Sequence, residues 1–171
     1  MKLIVGSIFA IIANTYELID RQIKITERPF YISTQIKDKS EIYNAVDEYN
    51  RYPFSPALLE TDNKEQNHIR IQYSDDGIMG STYMDAVINS AGYFELDKTV
   101  ISFDKRLNGN VLQCVLLHEI LHSQMLYHNE IPNSMMNYSV SVIETGEIIE
   151  EQKKCELSID DIIGLMSVKY S

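Results

Sequence analysis

The feature that most constrains this chain is a run of histidines with one glutamate, in the pattern H-E-x-x-H-x-x-x-x-x-H over residues 118–128. The run contains three of the four histidines in the 171-residue sequence. His118 and His122 stand four positions apart, so on a helix they face the same side one turn apart and can bind one metal ion together. The run therefore predicts a helix that carries a metal site, with His128 as the third ligand.

Three imidazole ligands leave a fourth position open, which is typical of a catalytic zinc ion and not of a closed structural one. Glu119 lies between the first two ligands and is the candidate general base for a metal-bound water. The alternative is a helix on which these polar side chains are simply solvated. The surrounding apolar residues argue against it, because polar groups in so apolar a helix need partners. Those residues are Val111, Leu112, Val115, Leu116, Leu117, Ile120 and Leu121.

The composition and net charge restrict the kinds of partner that the protein can bind. Apolar residues make up 44% and charged residues 23% of the chain, the balance of a globular domain and not of a disordered segment. The net charge of −10 argues against nucleic acid and anionic membrane surfaces. We expect a monomer without stable membrane insertion.

The N-terminus has the pattern of a secretory signal. Lys2 precedes an uncharged, mostly apolar stretch at residues 3–13. This stretch is too short to span a membrane, which takes about 20 residues. We expect residues 1–20 to be a leader of a secreted protein and residues 21–171 to be a single catalytic domain. The alternative is a first buried strand.

The two cysteines, Cys114 and Cys155, leave two interpretations open. Cys114 precedes His118 by four positions and shares its helical face, but three histidines already fill the protein's share of a catalytic site. The pair is therefore either buried thiols or a disulfide that joins the metal-binding helix to the segment before the last helix.

The rest of the pattern predicts an α+β domain with a twisted mixed sheet of about five strands and three helices. Apolar, β-branched and aromatic runs predict strands at 30–36, 57–59, 68–73, 82–88, 93–96 and 99–103. Asp97 and Lys98 separate the last two runs as a hairpin turn.

Three helices are expected between and after these strands. Asp38 and Glu41 have the spacing of a capping box before the first helix, whose apolar face is Ile42, Ala45, Val46 and Tyr49. The second helix should run from about Val111 to Gln124. Ser158 should be the N-cap of the third helix, with Asp161 at position N3.

Two motifs downstream of the histidine run carry a family resemblance. Met136 follows His128 by eight positions with Pro132 between them, and residues 157–164 read LSIDDIIG. Together with the run, they resemble the zinc motif, Met-turn and last-helix start of the metzincin endopeptidases, most closely the matrixin (matrix metalloproteinase) catalytic domain. The resemblance covers about residues 28–171 and implies a zincin-like fold.

The resemblance implies a role for each residue of the site. His118, His122 and His128 would bind one catalytic zinc ion. Glu119 would be the general base and proton shuttle, and Met136 would form an apolar floor beneath the metal.

The resemblance also bears on substrate binding. Tyr138 has the position at which some metzincins outside the matrixins place an additional zinc ligand or oxyanion stabiliser. The alternative for Tyr138 is a tyrosine of the pocket wall or core. The strand at 82–88 would be the sheet edge that pairs with an extended peptide substrate.

The sequence departs from the matrixin pattern in ways that affect metal binding. Met125 replaces the glycine that lets the chain turn off the helix, and a positive φ at a methionine would cost roughly 1–2 kcal/mol. His68 is the only other histidine, so no second, structural zinc is expected. Calcium ligands could come from acidic residues whose spacing matches no firm loop: Asp75, Asp76, Asp97 and Asp104.

The sequence thus predicts a secreted zinc endopeptidase in which Glu119 activates water. The alternative is a catalytically degenerate metzincin that acts as a binding module or decoy, which the Met125 substitution motivates. The retention of Glu119 and three histidines counts against this alternative, because a binding module does not need them.

Overall fold

A computed structural model describes residues 28–53, 55–63, 69–74, 77–88, 94–137 and 155–168 of the chain. The described part forms an α+β domain with three helices and a five-stranded mixed sheet. The elements in chain order are β1 (Arg28–Ile32), α1 (Ser40–Asn50), β2 (Leu58–Glu60), β3 (Ile69–Ser74), β4 (Gly80–Ile88), β5 (Phe94–Asp104), α2 (Gly109–Ser123) and α3 (Ile159–Ser167). The expected leader at residues 1–20 lies outside the described residues.

The strand order in the sheet is β2-β1-β3-β5-β4. Strand β1 pairs in parallel with β2 and β3, and β3 pairs in parallel with β5. Only β4, among the described strands, runs antiparallel to its neighbour, which is β5. The strand predicted at 82–88 is therefore confirmed as an edge strand, and it begins two residues earlier than expected.

The core forms between one face of the sheet and the helices α1 and α2. Alternate residues of β3 and β5 are buried, as a strand with one covered face requires. The apolar face predicted for α1 is confirmed, because all four of its residues are buried. These side chains join one cluster with the apolar residues of α2: Leu112, Leu116, Leu117, Ile120 and Leu121.

The predicted hairpin turn at Asp97 and Lys98 is wrong. Residues 94–104 form one continuous strand, β5, whose antiparallel partner is β4. Asp85 lies opposite Lys98 and Ala86 opposite Leu96, so the register shifts at Asp97. A β-bulge thus accommodates the polar pair that looked like a turn in the sequence.

Two smaller predictions are also corrected. The first strand ends at Ile32 because a turn follows, in which Ile36 N–H donates to Ser33 O at 3.0 Å. The capping box expected at the start of α1 does not form: Lys39 is the N-cap and makes no side-chain cap bond. Asp38 instead accepts from the backbone N–H of Ser40 at 3.1 Å.

Cys114 and Cys155 form a disulfide, which decides between the two interpretations of the cysteine pair. The bridge joins α2, one turn before His118, to the segment that leads into α3.

No helix in the described part of the chain combines the length and the apolar character that crossing a membrane requires.

Candidate metal centre

Helix α2 presents the first two histidines and the glutamate of the run. The helix covers residues 109–123, close to the predicted 111–124, and most of its residues from Leu112 onward are buried. His118 and His122 are partly exposed and their rings lie edge to face, with centroids 4.7 Å apart. The spacing of four residues thus places both imidazoles on one side of the helix, as predicted.

The end of α2 is a Schellman motif built on a methionine. The backbone N–H of Met125 donates to His122 O at 2.8 Å, and that of Leu126 donates to Leu121 O at 3.2 Å. Met125 has a φ of 67°, the left-handed conformation that glycine normally supplies. Leu121 and Leu126 are both buried, and an apolar contact of this kind commonly accompanies the motif. The chain therefore reverses at the position where the matrixin pattern has glycine, even though a side chain is present.

The reversal brings His128 back to the helix histidines. Its Nε2 atom lies 2.9 Å from Nε2 of His118 and 3.1 Å from Nε2 of His122. One ligand atom from each ring falls within 4.8 Å of the others, so the three residues could hold a metal ion. Tetrahedral zinc with Zn–N bonds of 2.0–2.1 Å holds its nitrogens roughly 3.3 Å apart, close to these separations.

Backbone carbonyl groups fix the proton positions of the two helix histidines. His118 Nδ1 lies 2.6 Å from Met135 O, and His122 Nδ1 lies 2.8 Å from Leu126 O. Because a carbonyl oxygen can only accept, each Nδ1 carries the proton and each neutral ring has its lone pair on Nε2. Both lone pairs therefore point toward His128 Nε2, which can donate a proton to only one of them. A cation satisfies all three nitrogens together, so the donor set fits a metal.

The environment keeps the imidazole rings of His122 and His128 neutral. Burial lowers the pKa of His122 to about 3, and the neighbouring His118 and His128 add to the effect. Burial lowers the pKa of His128 to about 4, again with a contribution from His118. Neutral imidazole is the form that binds a metal, so protons compete weakly for these two ligands near pH 7.

A turn at residues 134–136 supports two of the three histidines. Met135 O accepts from His118, and Met136 O accepts from the backbone N–H of Asn129 at 2.8 Å, next to His128. Met136 itself is fully buried, and its side chain lies in the apolar core. This turn coincides with the expected Met-turn.

The carboxylate of Asp161 fastens this turn to the last helix. Asp161 Oδ1 accepts from Ser134 Oγ at 2.6 Å, and Oδ2 accepts from the backbone N–H of Met135 at 2.9 Å. Oδ2 also accepts from Ser158, and Ser158 Oγ accepts from the backbone N–H of Asp161 at 3.2 Å, so the predicted N-cap Ser158 forms a capping box with Asp161. One fully buried side chain thus caps α3 and positions the carbonyl group that orients His118.

Glu119 is held between α2 and the edge strand β4. Its side chain is buried, and Thr82 Oγ1 lies 2.7 Å from Oε2 and 2.9 Å from the carbonyl oxygen of Glu119. Burial raises the pKa of Glu119 to about 7, and the hydrogen bond from Thr82 partly offsets this rise. A carboxyl group with a pKa near neutrality can both accept and release a proton under physiological conditions.

A cavity of about 160 Å³ opens beside Glu119. Its volume exceeds that of several water molecules, each of which takes up about 30 Å³ in the liquid. The candidate base and two of the candidate ligands thus face a common space. The cavity is lined by Met79, Gly80, Val115, His118, Glu119, His128 and Asn137.

Several predicted residues do not enter this description. Tyr138 and His68 lie outside the described residues, as do Asp75 and Asp76. Asp104 pairs with Arg106, which holds the pKa of the Asp104 carboxyl at about 2. Three of the four candidate calcium ligands, Asp75, Asp76 and Asp97, lie outside the described side chains, and calcium binding stays a prediction.

Sequence reasoning missed three residues that support the centre. Thr82 and Gly80 contact Glu119 from β4, and no local motif marks either of them. The buried Arg28 at the start of β1 donates to Ser123 O at the end of α2 and to Thr99 Oγ1 at 3.0 Å. The positive charge at the helix C-terminus is favourable, but only the three-dimensional contact reveals it.

Neither a scan against protein-family models nor a search of curated proteins finds a match for this chain.

Proposed function

We propose that this protein is a zinc-dependent endopeptidase of the metzincin type, closest to the matrixins. The observation that carries the proposal is that three imidazole nitrogens converge beside a buried glutamate at one cavity. Three neutral nitrogen ligands with an adjacent carboxylate make up the ligand set and the base of a hydrolytic zinc site. The centre would be held by His118, His122 and His128.

The choice of zinc follows from the donors. Imidazole nitrogens also suit copper, iron and nickel, but an all-histidine set with an open position and a neighbouring glutamate is the pattern of zinc hydrolases. When bound there, zinc would polarise a carbonyl group and acidify a water molecule.

The side chains supply the proton transfers of peptide hydrolysis. Glu119 would take a proton from the attacking water and pass it to the nitrogen of the departing amine. Burial raises the pKa of Glu119 to about 7 in the metal-free protein, and the positive charge of a bound zinc ion would lower it. The edge strand β4 borders the same centre and could pair with a substrate in extended conformation.

The disulfide supports secretion, because such bonds persist in oxidising compartments outside the cytosol. Secretion would also suit a protein that cleaves other proteins.

Metal analysis and a cleavage assay test the proposal together. Purified protein should contain one zinc ion per chain and should cleave members of a peptide library. Chelation should abolish cleavage and added zinc should restore it. Glu119→Gln should retain the zinc and lose at least about 100-fold in kcat, because the base is removed while the ligands remain. A wild-type protein that holds zinc and cleaves no peptide would contradict the proposed activity.

The alternative of a degenerate binding module rests on Met125. Against it, Met125 adopts the conformation that the turn requires, and His128 meets the other two histidines. The two hypotheses differ in one measurement: a binding module would act equally well as Glu119→Gln, whereas a peptidase would not.

A further inference from the structure

We propose that Thr82 is a positioning residue for Glu119, and that Thr82 and Gly80 make the edge strand β4 the support of the catalytic carboxylate. The inference rests on the proposed function, in which Glu119 is the base. It assigns different roles to the two carboxylate oxygens of Glu119. It also gives Thr82, a residue of the sheet, a role in the reaction.

Thr82 lies on β4 where its hydroxyl group reaches Glu119. Residues 80 and 82 point to the same face of β4, because side chains alternate along a strand. Thr82 Oγ1 lies within hydrogen-bond distance of both the Oε2 atom and the carbonyl oxygen of Glu119. The hydroxyl group carries one hydrogen, which Oε2 and the carbonyl oxygen share, so it holds the end of the Glu119 side chain near its own backbone. This restricts the rotation of a side chain that otherwise has three free torsions.

The other carboxylate oxygen of Glu119, Oε1, lies beside Gly80. A Cβ atom added to Gly80 would lie 2.9 Å from Glu119 Oε1 and 2.5 Å from Val115 Cγ1. The absence of a side chain at Gly80 therefore creates the space that Oε1 occupies. Gly80 and Glu119 both line the cavity. We infer that Oε1 is the oxygen that exchanges protons, while Oε2 is held by Thr82.

The pairing of β4 with β5 makes the support of Glu119 rigid. Gly80 pairs with Phe103 and Thr82 pairs with Ile101 across β4 and β5. Both partners are fully buried in the core. The positions of Gly80 and Thr82 are therefore fixed by the sheet and not by a loop, and a site built on such elements holds its geometry more accurately.

Steady-state kinetics of zinc-loaded, full-length variants test this inference. Thr82→Val keeps the shape of the side chain and removes the hydroxyl group. It should lower kcat by about 10- to 100-fold with KM changed less than about threefold, because the base is misaligned while the binding surface is kept. Thr82→Ser should retain at least about a third of the wild-type kcat. Thr61→Val, beyond the opposite edge of the sheet, is the matched control.

The zinc content of each variant separates positioning from metal loss. Thr82→Val should hold one zinc ion per chain, as the wild type does. An unchanged kcat in Thr82→Val would overturn the inference, and so would an equal loss in Thr82→Val and Thr82→Ser. Should Thr82→Val fail to fold, Thr82→Ala has the same expected outcomes.

A second readout does not depend on activity. In the metal-free protein, Thr82→Val should lower the Tm more in the wild-type background than in the Glu119→Ala background, because the partner of the hydroxyl group is already gone. Equal shifts in both backgrounds would show that Thr82 does not hold Glu119. If the wild type cleaves no peptide but the shifts differ, the proposed function fails and the contact between Thr82 and Glu119 stands.

Discussion

At the scale of single residues, Met125 determines the path of the chain from α2 to the third histidine. The residue has a φ of 67° and is followed by the carbonyl group that orients His122. A non-glycine residue in this conformation costs roughly 1–2 kcal/mol, because its Cβ approaches the following carbonyl oxygen. The Schellman hydrogen bonds and the burial of Leu126 offset that cost.

Glycine should therefore be tolerated better than alanine at position 125. We expect Met125→Gly to be about 1 kcal/mol more stable than Met125→Ala, because both lack the long side chain and only alanine retains the Cβ strain. Urea unfolding of the two variants measures the difference. Equal stabilities would show that residue 125 is not held in the left-handed conformation.

Glu119 illustrates the cost of keeping an ionisable group buried. Its pKa in the folded protein is about 7, against an ordinary value of 4.5. The folded state therefore holds an extra proton between these two pH values. The contribution of Glu119 to stability is full below pH 4.5 and is lost as the pH rises through 7.

The isosteric variant Glu119→Gln removes this dependence. In the metal-free protein it should match the wild type near pH 4.5 and exceed it at pH 8 by about 2–3 kcal/mol, since one pKa unit corresponds to about 1.4 kcal/mol. Urea unfolding at the two pH values measures this gain. Glu130→Gln, at an exposed position, is the matched control. A constant difference between wild type and Glu119→Gln across the pH range would contradict the raised pKa.

The ligand residues could be identified from the sequence because their chemistry is local. The spacing of His118 and His122 fixes their common face on any helix, and the need for a sharp turn at Met125 follows from the nearness of His128. Thr82 could not be identified, since its partner is 37 positions away and a threonine in a strand carries no signal of its own.

At the scale of elements, the turn at residues 134–136 acts as a link between α3 and the metal centre. Asp161 accepts four hydrogen bonds, from Ser134, Met135 and Ser158. The carbonyl group of Met135 in turn accepts from His118. The first turn of α3 is therefore connected to the candidate ligand His118 through two consecutive contacts, Asp161 with Met135 and Met135 with His118.

Asp161→Asn should weaken both the fold and the metal centre. The amide places donor hydrogens against groups that also donate, and a buried hydrogen-bond network is broken at a cost of about 2–4 kcal/mol. Zinc affinity should fall about 10-fold or more, as for other residues that orient a metal ligand. Thermal unfolding and competition with a zinc chelator measure these effects.

The neighbouring position supplies the control for this prediction. Asp160→Asn makes the same change in the same helical turn, where a carboxylate chiefly complements the helix dipole, worth under about 1 kcal/mol. It should leave zinc affinity unchanged. Similar losses in both variants would mean that the charge of the helix start matters and the contact with the turn does not.

The prediction of the strands failed at one polar pair, which fits either a hairpin turn or a bulge within a single strand. Asp97 and Lys98 resemble a hairpin turn, yet the long strand β5 accommodates them in a bulge opposite Asp85. The alternatives differ only in which strand lies alongside, and local sequence does not contain that information. Helix α1 was easier to predict, since its period of 3.6 residues is visible in the chain itself.

At the scale of the whole molecule, the candidate metal centre is assembled from segments that are far apart in the sequence. Arg28 of strand β1 contacts the end of α2, Thr82 of β4 contacts Glu119, and the turn before residue 137 orients the candidate ligand His118. The disulfide joins α2 to the start of the last segment. A centre assembled in this way exists only in the folded chain, so metal binding and folding must be thermodynamically linked.

This linkage predicts that zinc stabilises the whole domain. A ligand present at 1,000 times its Kd adds about 4 kcal/mol to the free energy of unfolding, provided that it does not bind the unfolded chain. For a domain of this size each kcal/mol shifts the Tm by about 2–4 °C. We therefore expect the Tm of the metal-free protein to rise by about 8–16 °C on saturation with zinc and to return on chelation.

The third histidine decides whether this stabilisation comes from the proposed centre. His128→Ala leaves the two helix histidines in place but removes the ligand that the reversal at Met125 delivers. Its Tm should rise by less than half of the wild-type shift at the same zinc concentration, because two ligands bind far more weakly than three. An unchanged shift would mean that zinc stabilises the protein from another place. The convergence of the three histidines would then have a structural origin that does not require a metal.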